Sequence, residues 1–247
     1  MITAIIQARV GSTRLPNKIF YPLLSKPIIW HVYNRLLDSK YIENIIIATT
    51  RNVGDDKLFE WCNNNKINVF RGNENNVLKR YYEAALKNNA SIIVRITSDD
   101  PFKDINIIDK VIKQLIDNNL DFSFNNSPPT FPEGLDVEVF KFKSLKKAYL
   151  NASSNFEKEH VTQYFFKKRN LFKMMNLKYH INYSFLRLTV DCIEDYNLSK
   201  KLYKTLESKE LEFNFDNILS IYKNDPDLFL INKNVERSDM YKKNEKN

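Results

Sequence analysis

The stretch Gln7-Ala8-Arg9-Val10-Gly11-Ser12-Thr13-Arg14-Leu15-Pro16-Asn17-Lys18 gathers chemistry into one short loop. Arg9, Arg14 and Lys18 set three cations beside the hydroxyls of Ser12 and Thr13, and Gly11 is one of only four glycines in the chain. Guanidinium forks match phosphate oxygens, so a polyphosphate is the natural compensating charge; the alternative is an ordinary basic surface loop. Asp99 and Asp191 each end an apolar run, Ile92 to Ile96 and Leu188 to Val190, and each is expected to project at a strand end or to cap the helix that follows. Asp136 and Glu138 alternate along another run and so share a face, with Val137 turned to the buried side. Glu159 and His160 are neighbours that cannot both face one side of a helix.

The elements that must position these groups are read from periodicity. Short β-branched runs at residues 3–7, 44–49, 68–71 and 91–96 alternate with helix-period segments at 28–37, 55–64, 75–87 and 104–118, the rhythm of a parallel sheet covered on both faces. Ser25 can cap the first helix, with Pro27 in its opening turn. In such a sheet the loop after the first strand lies at the carboxyl edge, where ligands bind and backbone N–H groups can turn toward an anion. Beyond residue 121 the pattern changes. A proline-rich loop, Ser127 to Pro132, precedes a strand at 135–140, helices at 143–151 and 157–168, strands at 172–178 and 185–190, and a helix at 193–206. The expected fold is a three-layer α/β domain with a Rossmann-like, mostly parallel sheet. One domain spans 1–234, with a smaller acceptor or dimerisation lobe at 127–183 and a polar, frayed tail at 235–247.

Composition narrows the class further. The chain of 247 residues is 43% hydrophobic and holds 17 Phe and 13 Tyr, enough apolar surface for a sizeable core and too much for a disordered chain. The N-terminus lacks a basic leader region and no apolar run reaches the length of a membrane span, so a cytoplasmic protein is expected. Cys62 and Cys192 stand far apart without a CxxC or Cys/His cluster, which supports neither a disulfide framework nor structural zinc. The formal charge of +8 suits an anionic partner, but no nucleic-acid-binding signature accompanies it, so nucleic acid is not the expected partner. His31 and His180 read as structural, and Tyr81 and Tyr82 as core and surface neighbours rather than a base-stacking platform.

The loop resembles the nucleotide-binding signature of the cytidylyltransferases that make CMP-activated sugars, and most closely the spore-coat polysaccharide biosynthesis branch. Collinear segments carry the resemblance onward: Phe70 to Tyr82, Arg95-Ile96-Thr97-Ser98-Asp99-Asp100-Pro101, Gly134 to Phe140, Glu159-His160-Val161-Thr162, and Arg187-Leu188-Thr189-Val190-Asp191. Gln7-Ala8-Arg9 replaces the Ala-Ala-Gly of uridylyl- and thymidylyltransferases, which favours the cytidylyl side. Asn76, Asp100 and Glu133 depart from the branch, which more often has Asp, Cys and a basic residue there. The resemblance implies transfer of CMP from CTP to a small anionic acceptor (a sugar acid, sugar phosphate or phosphonate) with release of pyrophosphate, in a homodimeric enzyme. It implies that Ala8, Arg9, Gly11, Ser12, Thr13, Arg14 and Lys18 bind the nucleotide, that Arg14, Lys18 and Asp99 act in catalysis, that Asp99 and Asp191 ligate magnesium, and that Asp136, Glu159 and His160 face the acceptor. A nucleotide-sugar glycosyltransferase has a similar sheet, but Ser98-Asp99-Asp100 lacks the DxD spacing and the basic loop has no task there. A non-catalytic nucleotide- or nucleic-acid-binding module is the reading from outside the enzymes.

Overall fold

Side chains alternate across a strand, so a run that is apolar at every position needs cover on both faces. In β1 (Ile2–Gln7), Ala4 and Ile6 enter one core and Ile5 the other, all fully buried. The computed structural model, which describes residues 1–236, sets β1 inside a seven-stranded sheet. Its partners are β4 (Asn44–Thr50), β5 (Val69–Gly72), β6 (Ile92–Thr97), β7 (Phe122–Phe124), β8 (Glu138–Lys141) and β9 (Met174–Asn176), in the order β5-β4-β1-β6-β8-β7-β9. The pairs β5·β4, β4·β1, β1·β6 and β7·β9 are parallel, while β8 runs antiparallel to both β6 and β7. A small ribbon, β2 (Pro22–Leu23) with β3 (Lys26–Pro27), stands apart.

Helices form the outer layers. The core on one face is built with α1 (Ile28–Leu36), α2 (Asp56–Asn64), α4 (Ile105–Asp117), α8 (Ile193–Ser208) and α9 (Phe215–Asn224). The other is built with α3 (Val77–Lys87), α5 (Phe142–Asn151) and α7 (Gln163–Lys167). In α1 the buried set Ile28, Ile29, Val32 and Leu36 follows the three-and-four spacing that the sequence shows. Tyr81 of α3 is fully buried, its hydroxyl donating to the Ile5 carbonyl at 3.1 Å, whereas Tyr82 is half-buried and stacks on Tyr149 at the edge of the core. Among the described residues no helix is long and apolar enough to cross a membrane.

The three-layer α/β architecture stands as read, and several local expectations do not. Ser25 caps nothing: Pro27 occupies the N-cap of α1 without a side-chain bond, because residues 22–27 are drawn into the ribbon. The helix expected at 157–168 is broken into α6 (Asn155–Glu159) and α7 by Val161, a buried β-branched residue at φ 52°, where left-handed backbone is sterically costly. The run at 185–190 makes a single bridge, Glu133 with Arg187, instead of a strand. It is threaded between the Gly134 turn and the end of β6, with Val190 N–H donating to the Asp99 carbonyl at 2.9 Å. At Gly134 (φ 102°) a Cβ would lie 2.6 Å from the Thr189 nitrogen, so this crossing requires glycine. The strands expected at 135–140 and 172–178 shorten to β8 and β9, and β7 and α9 lie where no element was expected. Most of the expected tail, from residue 237, lies outside the described residues.

Candidate active site

The basic loop leaves β1 at Gln7 and is held from beneath by a buried carboxylate. Asp55 accepts from the Val10 N–H at 2.7 Å and from the Thr50 hydroxyl, while Asn17 in a left-handed conformation (φ 58°) returns the chain to Val10 through a 3.3 Å backbone bond. Fixed at both ends, the loop leaves groups unsatisfied. Among the described residues the N–H groups of Gly11, Thr13 and Arg14 have no acceptor, and the space beside Gly11 is open. Arg9 is exposed and forms no ion pair with any described residue, and half of the Arg14 side chain is exposed. Such a loop suits an anion that can accept from several donors at once.

Asp99 and Asp191 meet beneath this loop, brought together by the thread 187–190 running past β6. Lys18, buried at the end of the loop, places its ammonium 2.6 Å from Asp99 Oδ2 and 2.6 Å from Asp191 Oδ1. The second oxygen of Asp191 takes Arg14 at 3.0 Å and Arg187 at 2.8 Å. Burial opposes the Lys18 charge, but Asp99 and Asp191 outweigh it and raise the ammonium above the usual lysine range. Burial, reinforced by Asp100 and Asp191, raises Asp99 despite the attraction of Lys18. For Asp191 burial is overcome by Lys18, Arg14 and Arg187, and its carboxyl is lowered. Either aspartate could have been a plain helix cap. Neither is: α4 is capped by Asp104, and α8 starts after Cys192 with no side-chain cap.

The floor beyond these aspartates consists of paired charges. Glu138, 3% exposed, accepts from Arg95 at 2.5 Å, Thr162 at 2.9 Å and Asn126 at 3.3 Å. Glu133 accepts from Arg187 at 2.6 Å, and Arg187 also grips Asp195 at 2.9 Å. Lys103, 1% exposed, pairs with Asp100 at 2.9 Å and donates to the main-chain carbonyl of Asp136. Asp136 precedes β8 and Glu138 opens it; both line the cleft while Val137 is buried in the core, as their alternation implies, and Glu138 is held in a bonded network.

Two halves of one cleft result. Ala8, Arg9, Ser12, Thr13, Arg14 and Lys18, with Asn75, Asn76 and Arg80, line a space of about 740 Å³. Asn126, Glu133, Gly134, Asp136, Glu138 and Thr189 line an adjoining space of about 700 Å³. Arg9, Arg14, Asp99, Glu159, His160 and Asp191 border both. Glu159 and His160 can both face the cleft because α6 ends between them, which removes the constraint of a continuous helix. Asn76 caps α3, its side chain accepting from Lys79 N–H at 2.8 Å, and Asp100 lies in the second half rather than at the basic loop. His31 is structural, its Nε2 bonded to the Leu23 carbonyl at 2.9 Å. Arg71 does not line either half and instead pairs with Asp56 at 2.6 Å.

Asp55, Lys103, Arg187 and Asp195 carry the site without having been assigned roles in it. Arg187, set in an apolar run with acids four and eight positions on, was the one signal that could have been followed.

A mostly parallel α/β sheet, with an anion-seeking loop after its first strand and two aspartates converging beneath it, defines a nucleotidyltransferase. The cytidylyltransferase family model matches residues 3–238, and the chain belongs to that family. It is 38% identical over 238 residues to an uncharacterized protein of Methanocaldococcus jannaschii, covering 96% of both chains. It is 31% identical over 215 residues to the spore coat polysaccharide biosynthesis protein SpsF of Bacillus subtilis, covering 82% of this chain and 86% of that one. The solved structure of a cytidylyltransferase from Leptospira borgpetersenii matches with a TM-score of 0.87 at 33% identity, over 96% of this chain and 98% of the other.

Proposed function

We propose that the protein transfers CMP from CTP to a sugar acid, sugar phosphate or phosphonate, releasing pyrophosphate, in the building of a surface polysaccharide. The observation that carries this reading is the loop of residues 8–18, whose uncommitted Arg9 and unaccepted N–H groups adjoin Asp99 and Asp191. The family supports the cytidylyl donor, and the likeness to the Bacillus protein supports the polysaccharide setting.

The triphosphate lies in the loop, against Ala8, Arg9, Gly11, Ser12, Thr13, Arg14 and Lys18. The acceptor lies in the second half, with Asp136, Glu159 and His160 as its contacts within the 127–183 lobe. Its oxygen attacks the α-phosphorus, the bond to the β-phosphate oxygen breaks, and negative charge moves onto the departing pyrophosphate. Arg9 and the loop N–H groups, left without partners among the described residues, receive that charge, and Arg14 joins them from Asp191. A phosphate or phosphonate attacks already ionised; a hydroxyl must lose a proton, and His160 or Glu159 at the shared border takes it.

Asp99 and Asp191 fit magnesium, since oxygens of both already converge on one cation. Among the described residues no cluster of three or more His, Cys, Asp or Glu side chains suited to a metal is present, so phosphate and water oxygens would complete the shell, as this ion prefers. Bound there, magnesium supplies neutralisation of triphosphate charge.

The test is pyrophosphate release from CTP, UTP, dTTP and ATP with magnesium and a panel of sugar acids, sugar phosphates and phosphonates. Release from CTP with at least one acceptor, and a CMP-linked product by mass spectrometry, is expected. Release confined to UTP or dTTP would overturn the reading.

A further inference from the structure

Lys18 stands where a divalent cation would stand. Its ammonium lies 2.6 Å from an oxygen of Asp99 and 2.6 Å from an oxygen of Asp191, and its side chain is only 10% exposed. The other oxygen of Asp191 is taken by Arg14 and Arg187. A bare metal ion therefore meets two carboxylates whose charge is already balanced, and it would have to settle against a buried ammonium and two guanidiniums. Like charges at such separations repel strongly wherever water is scarce.

Lys18 and Arg14 also belong to the loop whose Gly11, Thr13 and Arg14 N–H groups have no acceptor among the described residues. A triphosphate seated there offers both side chains a second anion, and their transfer to it frees the carboxylates. Lys18 lines the same space as Arg9, Ser12, Thr13 and Arg14, so a swing of its flexible stem carries the ammonium from the aspartates toward a triphosphate seated there.

We propose that Lys18 is a resident cation that occupies the metal position between Asp99 and Asp191 and yields it when a nucleoside triphosphate fills the loop, so that metal loading is conditional on nucleotide. Lys18 then has two stations, the aspartates in the empty enzyme and the phosphates in the loaded one. Divalent ions alone bind there only weakly. The inference rests on reading the two aspartates as the metal site.

The experiment is titration of nucleotide-free protein with Mn²⁺, following free ion by electron paramagnetic resonance, in wild type, Lys18→Met, Lys18→Gln and Lys18→Arg. Removing the ammonium in Lys18→Met or Lys18→Gln should tighten Mn²⁺ binding at least about tenfold, while Lys18→Arg, which keeps the charge, should remain as weak as wild type. Adding Asp191→Asn to either neutral variant should abolish the gain. The two neutral variants differ in polarity, so failure of one to fold, checked by circular dichroism, leaves the other. Wild type that binds Mn²⁺ without nucleotide as tightly as the neutral variants would overturn the proposal, as would neutral variants that gain nothing. Failure of the functional reading looks different: wild type would then not bind CTP, a result independent of the nucleotide-free Mn²⁺ titration.

Discussion

The two halves of the cleft treat charge in opposite ways. In the nucleotide half Arg9 is exposed without an ion pair and Arg14 is half exposed, so positive charge and backbone donors are left for a ligand. In the acceptor half the buried acids already have partners within the fold: Glu138 has Arg95, Glu133 has Arg187, and Asp100 has Lys103. On the proposed reading, an anion completes the first half, and the internally balanced second half recognises the acceptor by shape and hydrogen bonding. Lys18, Asp99 and Asp191 form the seam, where balance exists in the empty protein and must be rearranged for chemistry.

The comparison breaks most visibly if a cation of the second half is removed. Lys103→Met leaves Asp100 buried without its charge partner, a loss of about 3–5 kcal/mol. At about 2–4 °C per kcal/mol for a chain of this size, the melting temperature should fall by about 6–20 °C. Adding Asp100→Asn should recover most of it, and differential scanning calorimetry of the three proteins checks this. Retained stability in Lys103→Met would mean that the second half is not held by its ion pairs.

At the seam the cost moves from stability to rate. Asp191→Asn is expected to lower kcat by about 10²–10³ while CD spectra remain native, since it removes charge stabilisation at the reacting centre. Single-turnover pyrophosphate release measures it. In the nucleotide half Arg14→Ala should weaken CTP binding by about tenfold or more, the loss of one charge-assisted contact worth about 1.5–3 kcal/mol. Its melting temperature should stay within about 2 °C of wild type, because exposed ion pairs contribute little. A destabilised Arg14→Ala with unchanged CTP affinity would reverse the roles assigned to the two halves.

How far each half was legible in the sequence follows from the same difference. The nucleotide loop could be read because its cations, hydroxyls and glycine are adjacent in the chain, after a strand whose pattern is plain. The second half could not, since Arg95 meets Glu138 across 43 positions and Glu133 meets Arg187 across 54, with no periodicity to announce either. Helix pattern also misled locally: Val161, Tyr164 and Phe165 keep helical spacing and are all buried, yet Val161 turns the chain and brings Glu159 and His160 to the cleft. β7 has no signal in the sequence because Phe-Ser-Phe is too short to show an alternation, and it exists through its pairing with β8 and β9.

Nucleotide choice is the most direct measure of the central claim. Calorimetric titration of the wild-type protein with CTP, UTP, dTTP and ATP in magnesium buffer should show CTP binding about tenfold or more tighter than the rest, a margin of about 1.4 kcal/mol. Equal or tighter binding of UTP or dTTP would contradict a cytidylyl donor for this cleft.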